Sequence, residues 1–302
     1  MNPAPETNHQ SRGISMQKTQ RRLTLFLSAM LAVAITMLTV TPANAAPSRS
    51  DGSGNRVIFV HGFAPDGNHD CADYFRSART HFANKGWRGN LLTFGYYSGN
   101  TNCSHNVRGG RDTAIKDVAK AFANYVYNNY SKRNIKVDVV AHSMGGLVVR
   151  AALRYTALGA AGFPQGPLYI EDVVTLGTPH GGTTFFCPNT LQQCADMEPG
   201  SPFLNNLRSV MPNSGMRGGT DWTTVSSYND GIVSEHSGIA GIAEHEVQYN
   251  DGISHNELRT IRSGRYNSRA KHTARGNTWS SWQERVSPLE QARLSVLFES
   301  TM

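Results

Sequence analysis

The feature that most restricts this chain is a short turn, Ala141-His142-Ser143-Met144-Gly145-Gly146. It lies between the strand-like run Ile135–Ala141 and the helix-like stretch Gly145–Tyr155. A serine on a sharp strand-to-helix turn projects its hydroxyl above the edge of a sheet. The same turn aims the helix N-terminus, with its unpaired N–H groups and positive dipole end, at the reacting oxygen. Residues two before and two after such a serine must be small, because the turn crowds them against neighbouring backbone. Here they are Ala141 and Gly145. Glycine is usual at the first of these, so Ala141 departs from the pattern by one methyl group. Ser143 is therefore the candidate nucleophile; the competing reading is a strand–turn–helix that merely contains a serine.

The rest of the chain suits such a turn. Short β-branched runs (Arg56–Val60, Leu91–Tyr96, Ile135–Ala141, Ile170–Leu176, Trp222–Ser227 and Glu246–Tyr249) alternate with longer amphipathic stretches at about 111–130 and 144–157. Several runs are almost continuously apolar, as strands covered on both faces are. The alternation predicts an α/β fold, a mostly parallel sheet of about six strands flanked by helices. A final helix is expected after Ser287, with Pro288 in its first turn, Glu290 completing a capping box, and Leu289, Ala292, Val296 and Leu297 facing inward.

The N-terminus is of a different kind. Lys18, Arg21 and Arg22 precede an uncharged apolar run, Leu23–Val40, and Ala43-Asn44-Ala45 follows as a small-residue cleavage site. Residues 1–45 read as a signal peptide and 46–302 as the catalytic domain, with an uncleaved membrane anchor as the alternative. The paired arginines suit twin-arginine export as well as the general route. Removing residues 1–45 takes away four basic residues and one acid, lowering the formal charge from +7 to +4, too little to imply a nucleic-acid partner. The expected location is extracellular. Cys71, Cys103, Cys187 and Cys194 are an even set in an exported chain and predict two disulfides. Of three possible pairings, Cys71–Cys103 with Cys187–Cys194 closes each bond within one neighbourhood of the chain. No C-x-x-C knuckle points to a metal.

Ala-His-Ser-Met-Gly-Gly, with Val60-His61-Gly62-Phe63 upstream, resembles the small secreted bacterial triacylglycerol lipases, the class 2 lipases and their relatives. The resemblance runs from about Arg56 to about His255 and leaves the basic segment beyond unmatched. It implies the α/β-hydrolase fold and acylglycerol substrates; the expected mechanism needs no cofactor, and a lipid–water interface and a monomer are further expectations. It also implies that the backbone N–H of Phe63 joins that of Met144, the residue after the nucleophile, as an oxyanion hole. His61 reads as a structural hydrogen-bonding residue.

In this fold the acid and the base follow the serine in that order, on loops after later strands. Asp230, in Asn229-Asp230-Gly231-Ile232-Val233, and His255, in Asp251-Gly252-Ile253-Ser254-His255, occupy those places. The family carries its acid and its histidine in similar settings. His245 and Asp221 would precede their strands, His236 and His272 lack a strand before them, and Asp251 is less well placed than Asp230.

On the substrate side, Gly177-Thr178-Pro179-His180-Gly181-Gly182 ends the next strand, and similar sequences occur in these lipases. Residues 183–218 form a possible cap or lid. Phe185 and Phe186, with Phe203, Leu204 and Leu207 on a helix expected from Pro202 to Met211 behind Ser201, are candidates for an acyl-binding wall; the alternative is that this stripe belongs to the core. The basic run Arg259, Arg262, Arg265, Arg269, Lys271 and Arg275 reads as a solvated face or as a contact with anionic lipid. The expected activity is carboxylic-ester hydrolysis, with acylglycerols favoured. A short-chain esterase or an aliphatic polyester depolymerase is the near alternative, and a non-catalytic binding protein on the same fold is the distant one.

Overall fold

A computed structural model describes residues 45–185, 187, 188 and 190–298. The chain divides into Met1–Ala45 and Ala46–Met302. The expected signal peptide, residues 1–45, lies outside the described residues except for Ala45. Among the described residues, no helix is long and apolar enough to cross a membrane.

In chain order the elements are β1 (Arg56–Val60), α1 (Cys71–Tyr74), α2 (Arg76–Asn84), β2 (Leu91–Gly95), β3 (His105–Asn106), α3 (Ile115–Asn129), β4 (Val137–His142), α4 (Met144–Ala157) and β5 (Ile170–Leu176). There follow α5 (Gln192–Met197), α6 (Pro202–Leu207), β6 (Asp221–Ser227), α7 (Glu235–Gly238), β7 (His245–Tyr249), β8 (Arg265–His272), β9 (Gln283–Val286) and α8 (Pro288–Ser295). Among the described residues, nine strands form one sheet in the order β3-β2-β1-β4-β5-β6-β7-β8-β9. Strands β3 to β7 along that order pair in parallel, and β8 and β9 add an antiparallel ribbon.

Near-continuous apolar strands have a direct consequence here. Ile58 and Val60 face one core with Val139, Ala141 and residues of α3 and α4, while Val57 and Phe59 face the other with Val140, Val174 and Leu289 of α8. Alternate residues of each strand are thus buried on opposite sides, which requires helices on both.

The six expected strands are all present, but among the described residues the sheet has nine. β3 is two residues long, too short to register as a pattern. β8 lies inside the basic run, and its inward residues, Ser268, Ala270 and His272, are small or polar rather than large and apolar. Outward, Arg269 stacks against Trp279 at 4.5 Å and Trp282 at 4.9 Å, and Lys271 pairs with Glu246 at 2.9 Å. The helix expected at about 111–130 starts at Ile115, whose N–H is accepted by the distant Asp196 carboxylate at 2.8 Å. α8 forms where expected, without its capping box. Ser287 makes no side-chain cap, and Glu290 turns instead to Arg293 at 2.8 Å and His81 at 2.7 Å. Cys71 bonds Cys103, and Cys187 bonds Cys194.

At the N-terminal ends of β4, β5 and β6, the edge opposite the serine turn, buried acids gather. Glu171 is held by Lys136 at 2.9 Å and Asn55 at 2.6 Å, and Asp172 by Arg49 at 2.7 Å. Asp138 lies among them with Oδ2 unpartnered. Burial pushes Asp138 well above the usual carboxylate range, with Asp172 and Glu171 adding repulsion, and pushes Asp172 up to about 8.

An acid whose folded pKa is raised favours the fold in its protonated form. Its contribution is complete at acid pH and is lost as pH rises from about 4 towards the folded value. Asp138→Asn keeps the shape and cannot ionise. Relative to the wild type, its unfolding temperature is expected to rise by about 3 °C or more between roughly pH 5 and pH 8. Thermal unfolding at both pH values checks this, and parallel profiles for the two proteins would contradict it.

Candidate active site

Ser143 sits between β4 and α4 with φ 56° and ψ −134°, a conformation that non-glycine residues rarely adopt. Its N–H donates to the Leu176 carbonyl at 2.9 Å, and its own carbonyl accepts from Thr178 Oγ1 at 2.8 Å. Small neighbours are obligatory for a reason now visible. A Cβ on Gly145 would meet the Val60 carbonyl oxygen at 2.4 Å and that of His61 at 2.5 Å. The turn therefore packs directly against the end of β1, where Gly62 and Phe63 follow.

Past β6, Asp230 accepts from the backbone N–H groups of Ile232 at 2.8 Å and Val233 at 2.9 Å through Oδ1. Its Oδ2 lies 2.7 Å from His255 Nδ1, in a loop past β7, and both side chains are buried. Ser143 and His255 open onto the same cavity. The neighbouring elements close around this pair: Gly177 is packed so tightly that a Cβ there would lie 3.0 Å from Asp230 Oδ2. The Gly177–Gly182 segment thus supports Ser143 through Thr178, abuts Asp230, and lines the cavity with Pro179.

The other candidates lie elsewhere. His245 is bonded to Asp221 at 3.1 Å and to His272 at 2.7 Å, at the far ends of β6 and β7. His236 is exposed beside Glu235 at 2.7 Å, and Asp251 is exposed. His61 is buried, stacked on Tyr96 at 4.0 Å and bonded to Asn100 at 2.8 Å. Burial lowers its pKa to about 3, so it stays neutral.

The cavity holds about 760 Å³, within the usual range for a small-molecule site. Its lining includes the apolar side chains of Phe185, Pro188, Leu191, Met197, Ile232 and Val233 and the polar or charged ones of Asp70, Asp73, Arg111, Asn256 and Arg259. Phe63 lies on this cavity, while Met144 begins α4 with its side chain fully buried. Phe186 lies outside the described residues.

Phe203, Leu204 and Leu207 do not line the cavity. They are buried in the core against α4, because α6 ends at Leu207 where Arg208 turns to φ 63° and the helix lies down on the body. The segment 183–218 meets the cavity through its loop and α5 instead. Sequence reading assigned no site role to Tyr74, His142, Asn256 and Arg259, which come from three separate segments, Asn256 and Arg259 sharing the turn after His255; only the position of His142 beside the serine signalled any of them.

A left-handed serine between a central parallel strand and its helix, in a sheet covered on both faces, defines an α/β-hydrolase. A sequence profile described as "Putative serine esterase (DUF676)" matches residues 54–211, just over half of the chain, and the chain belongs to that family. The match includes Phe63 and Ser143 and stops before Asp230 and His255. No curated protein matches the chain. Among solved structures it is similar to a Bacillus licheniformis lipase in its propeptide form, at 17% identity over 72% of this chain and 49% of that one, with TM-score 0.45. It is also similar to Aspergillus fumigatus lipase B, at 15% identity over 71% of this chain and 52% of that one, with TM-score 0.47. A Rhodothermus marinus esterase domain aligns at 15% identity over 70% of this chain and 82% of that one, with TM-score 0.39. The chain spans about half the length of the first two.

Gly62 offers a sharp check on this geometry. A Cβ there would lie 2.7 Å from Ser143 Cβ and 3.1 Å from the Tyr74 hydroxyl. Gly62→Ala is therefore expected to slow the reaction of Ser143 with a fluorophosphonate by about tenfold or more, measured as a labelling rate under conditions where the variant is folded. An unchanged rate would mean that the turn is looser than this packing.

Proposed function

We propose that this chain is a secreted serine carboxylic-ester hydrolase in which Ser143, His255 and Asp230 act as nucleophile, base and orienting acid. The observation that carries the reading is the 2.7 Å bond from His255 Nδ1 to the buried Asp230, on the cavity onto which Ser143 opens. That bond puts the Nδ1 proton towards Asp230 and leaves Nε2 free to take the proton from the serine hydroxyl.

The alkoxide then attacks the ester carbonyl, and the backbone N–H groups of Phe63 and Met144 receive the oxyanion. Removing one donor of this kind typically costs about 10²–10³ in rate. His255 passes its proton to the leaving alcohol, then activates water to release the acid from the acyl-enzyme. Asp230 stabilises the imidazolium throughout, and its own geometry is set by the two backbone donors at Ile232 and Val233.

Acylglycerols are the favoured substrates, because the cavity of about 760 Å³ is lined both by apolar side chains suited to an acyl chain and by polar and charged ones. Phe185 supports a lipid–water encounter, since it is exposed while lining the cavity. Export through the 1–45 signal segment agrees with two disulfides in the chain.

A fluorophosphonate probe and an ester series test the two levels of this reading separately. Labelling of the wild type that disappears in Ser143→Ala is expected; labelling that survives this change would remove Ser143 from the chemistry. Hydrolysis of p-nitrophenyl esters is expected to extend to medium and long acyl chains and to emulsified triacylglycerol. A profile confined to the shortest esters would leave the mechanism and replace the lipase by an esterase, and turnover of aliphatic polyester without triacylglycerol would favour a depolymerase.

A further inference from the structure

Three side-chain and backbone contacts join the two halves of the site without involving any proposed triad side chain. The Gly62 N–H donates to the Tyr74 hydroxyl at 3.2 Å. That hydroxyl lies 2.6 Å from His142 Nδ1, and His142 Nε2 lies 2.9 Å from the His255 carbonyl oxygen. A backbone N–H can only donate and a carbonyl can only accept, so the two ends set the direction of the whole chain. The tyrosine hydroxyl accepts from Gly62 and donates to Nδ1, and the imidazole carries its proton at Nε2 and donates to His255. His142 is fully buried, and burial holds it well below the usual histidine range, so this neutral tautomer persists.

A second tie runs alongside. Arg259, in the short turn after His255, donates to the Tyr74 carbonyl at 2.6 Å and lies over the Tyr74 ring at 3.9 Å from its centre. The base loop is thus fastened twice to the four-residue helix α1, and α1 is fastened to the peptide that leads into Phe63.

We infer that Tyr74 and His142 are positioning residues that set the placement of the His255 loop against the Gly62–Phe63 oxyanion turn. This rests on the triad reading above. Neither residue transfers a proton in the reaction. Their bonds hold two segments that are far apart in sequence at the separation the transition state needs, and a displacement of about 1 Å at such a site costs on the order of 10²-fold in rate.

Tyr74→Phe deletes the one oxygen that makes both bonds while keeping the ring under Arg259. With a short p-nitrophenyl ester, kcat is expected to fall by about 10- to 100-fold with KM within about twofold. His142→Gln, whose amide can still donate towards the His255 carbonyl, is expected to retain more kcat than His142→Leu. Fluorophosphonate labelling of the wild type and each variant is followed in parallel, below the unfolding temperature of each. Equal kcat in wild type and Tyr74→Phe overturns this inference alone, as does a loss confined to KM or equal damage from Gln and Leu. Failure to label the wild type overturns the triad reading and this inference with it. Should Tyr74→Phe not fold, the Gln and Leu pair at His142 carries the same decision.

Discussion

The backbone of Ser143, at φ 56° and ψ −134°, is the constraint around which the rest of the site is arranged. Such a conformation costs about 1–3 kcal/mol and persists only where its surroundings over-determine it. Here the surroundings are the middle of the sheet. β5 accepts the serine N–H through Leu176, Thr178 holds the serine carbonyl, and the end of β1 presses on Gly145. β1, β4 and β5 are adjacent, parallel and buried on both faces. The strain at one residue is therefore opposed by the most cohesive part of the molecule. The same arrangement delivers the segments after β1 and β5 to the serine, since parallel strands end at one edge.

That edge and the opposite one handle buried polarity differently. Near the serine, histidines do most of the work, and burial keeps His61, His142 and His180 neutral. A neutral imidazole has one donor and one acceptor, so it can relay a hydrogen bond without placing a charge in the core. His180 does this between Thr175 at 3.0 Å and Arg150 at 3.3 Å. At the far edge the buried groups include the carboxylates Asp172 and Glu171, answered by Arg49 and Lys136, beside His245 bonded to Asp221 and His272. Arg49 comes from the segment before β1, so the start of the described chain is pinned to the base of the sheet.

Much of this was legible in the chain. The six apolar runs became strands because burial on both faces leaves a continuous apolar signature, and α4 spans the interval its periodicity indicated. β8 was hidden because a strand next to the border of a sheet can turn small polar residues inward and arginines outward. α3 was placed too early because its cap is a carboxylate, Asp196, distant in sequence. The Ser287–Glu290 capping pattern was present and unused, since the Arg293 guanidinium and the His81 ring engage Glu290 instead. Phe203, Leu204 and Leu207 read as well for a substrate wall as for a core, because helical spacing reports a buried face without saying what covers it.

By itself, then, the sequence determined the strand–turn–helix around Ser143, the class of fold that presents it, and short segments in which an acid and a histidine follow strands. These are local matters, decided by residue size, periodicity and chain order. Only the tertiary structure decided that Asp230 meets His255 at 2.7 Å, that His245 and Asp221 pair at the other edge, and that Tyr74 and His142 bridge two loops. Those contacts join residues from 24 to 113 positions apart. Their geometry follows from strand order and loop packing, which no window of residues contains.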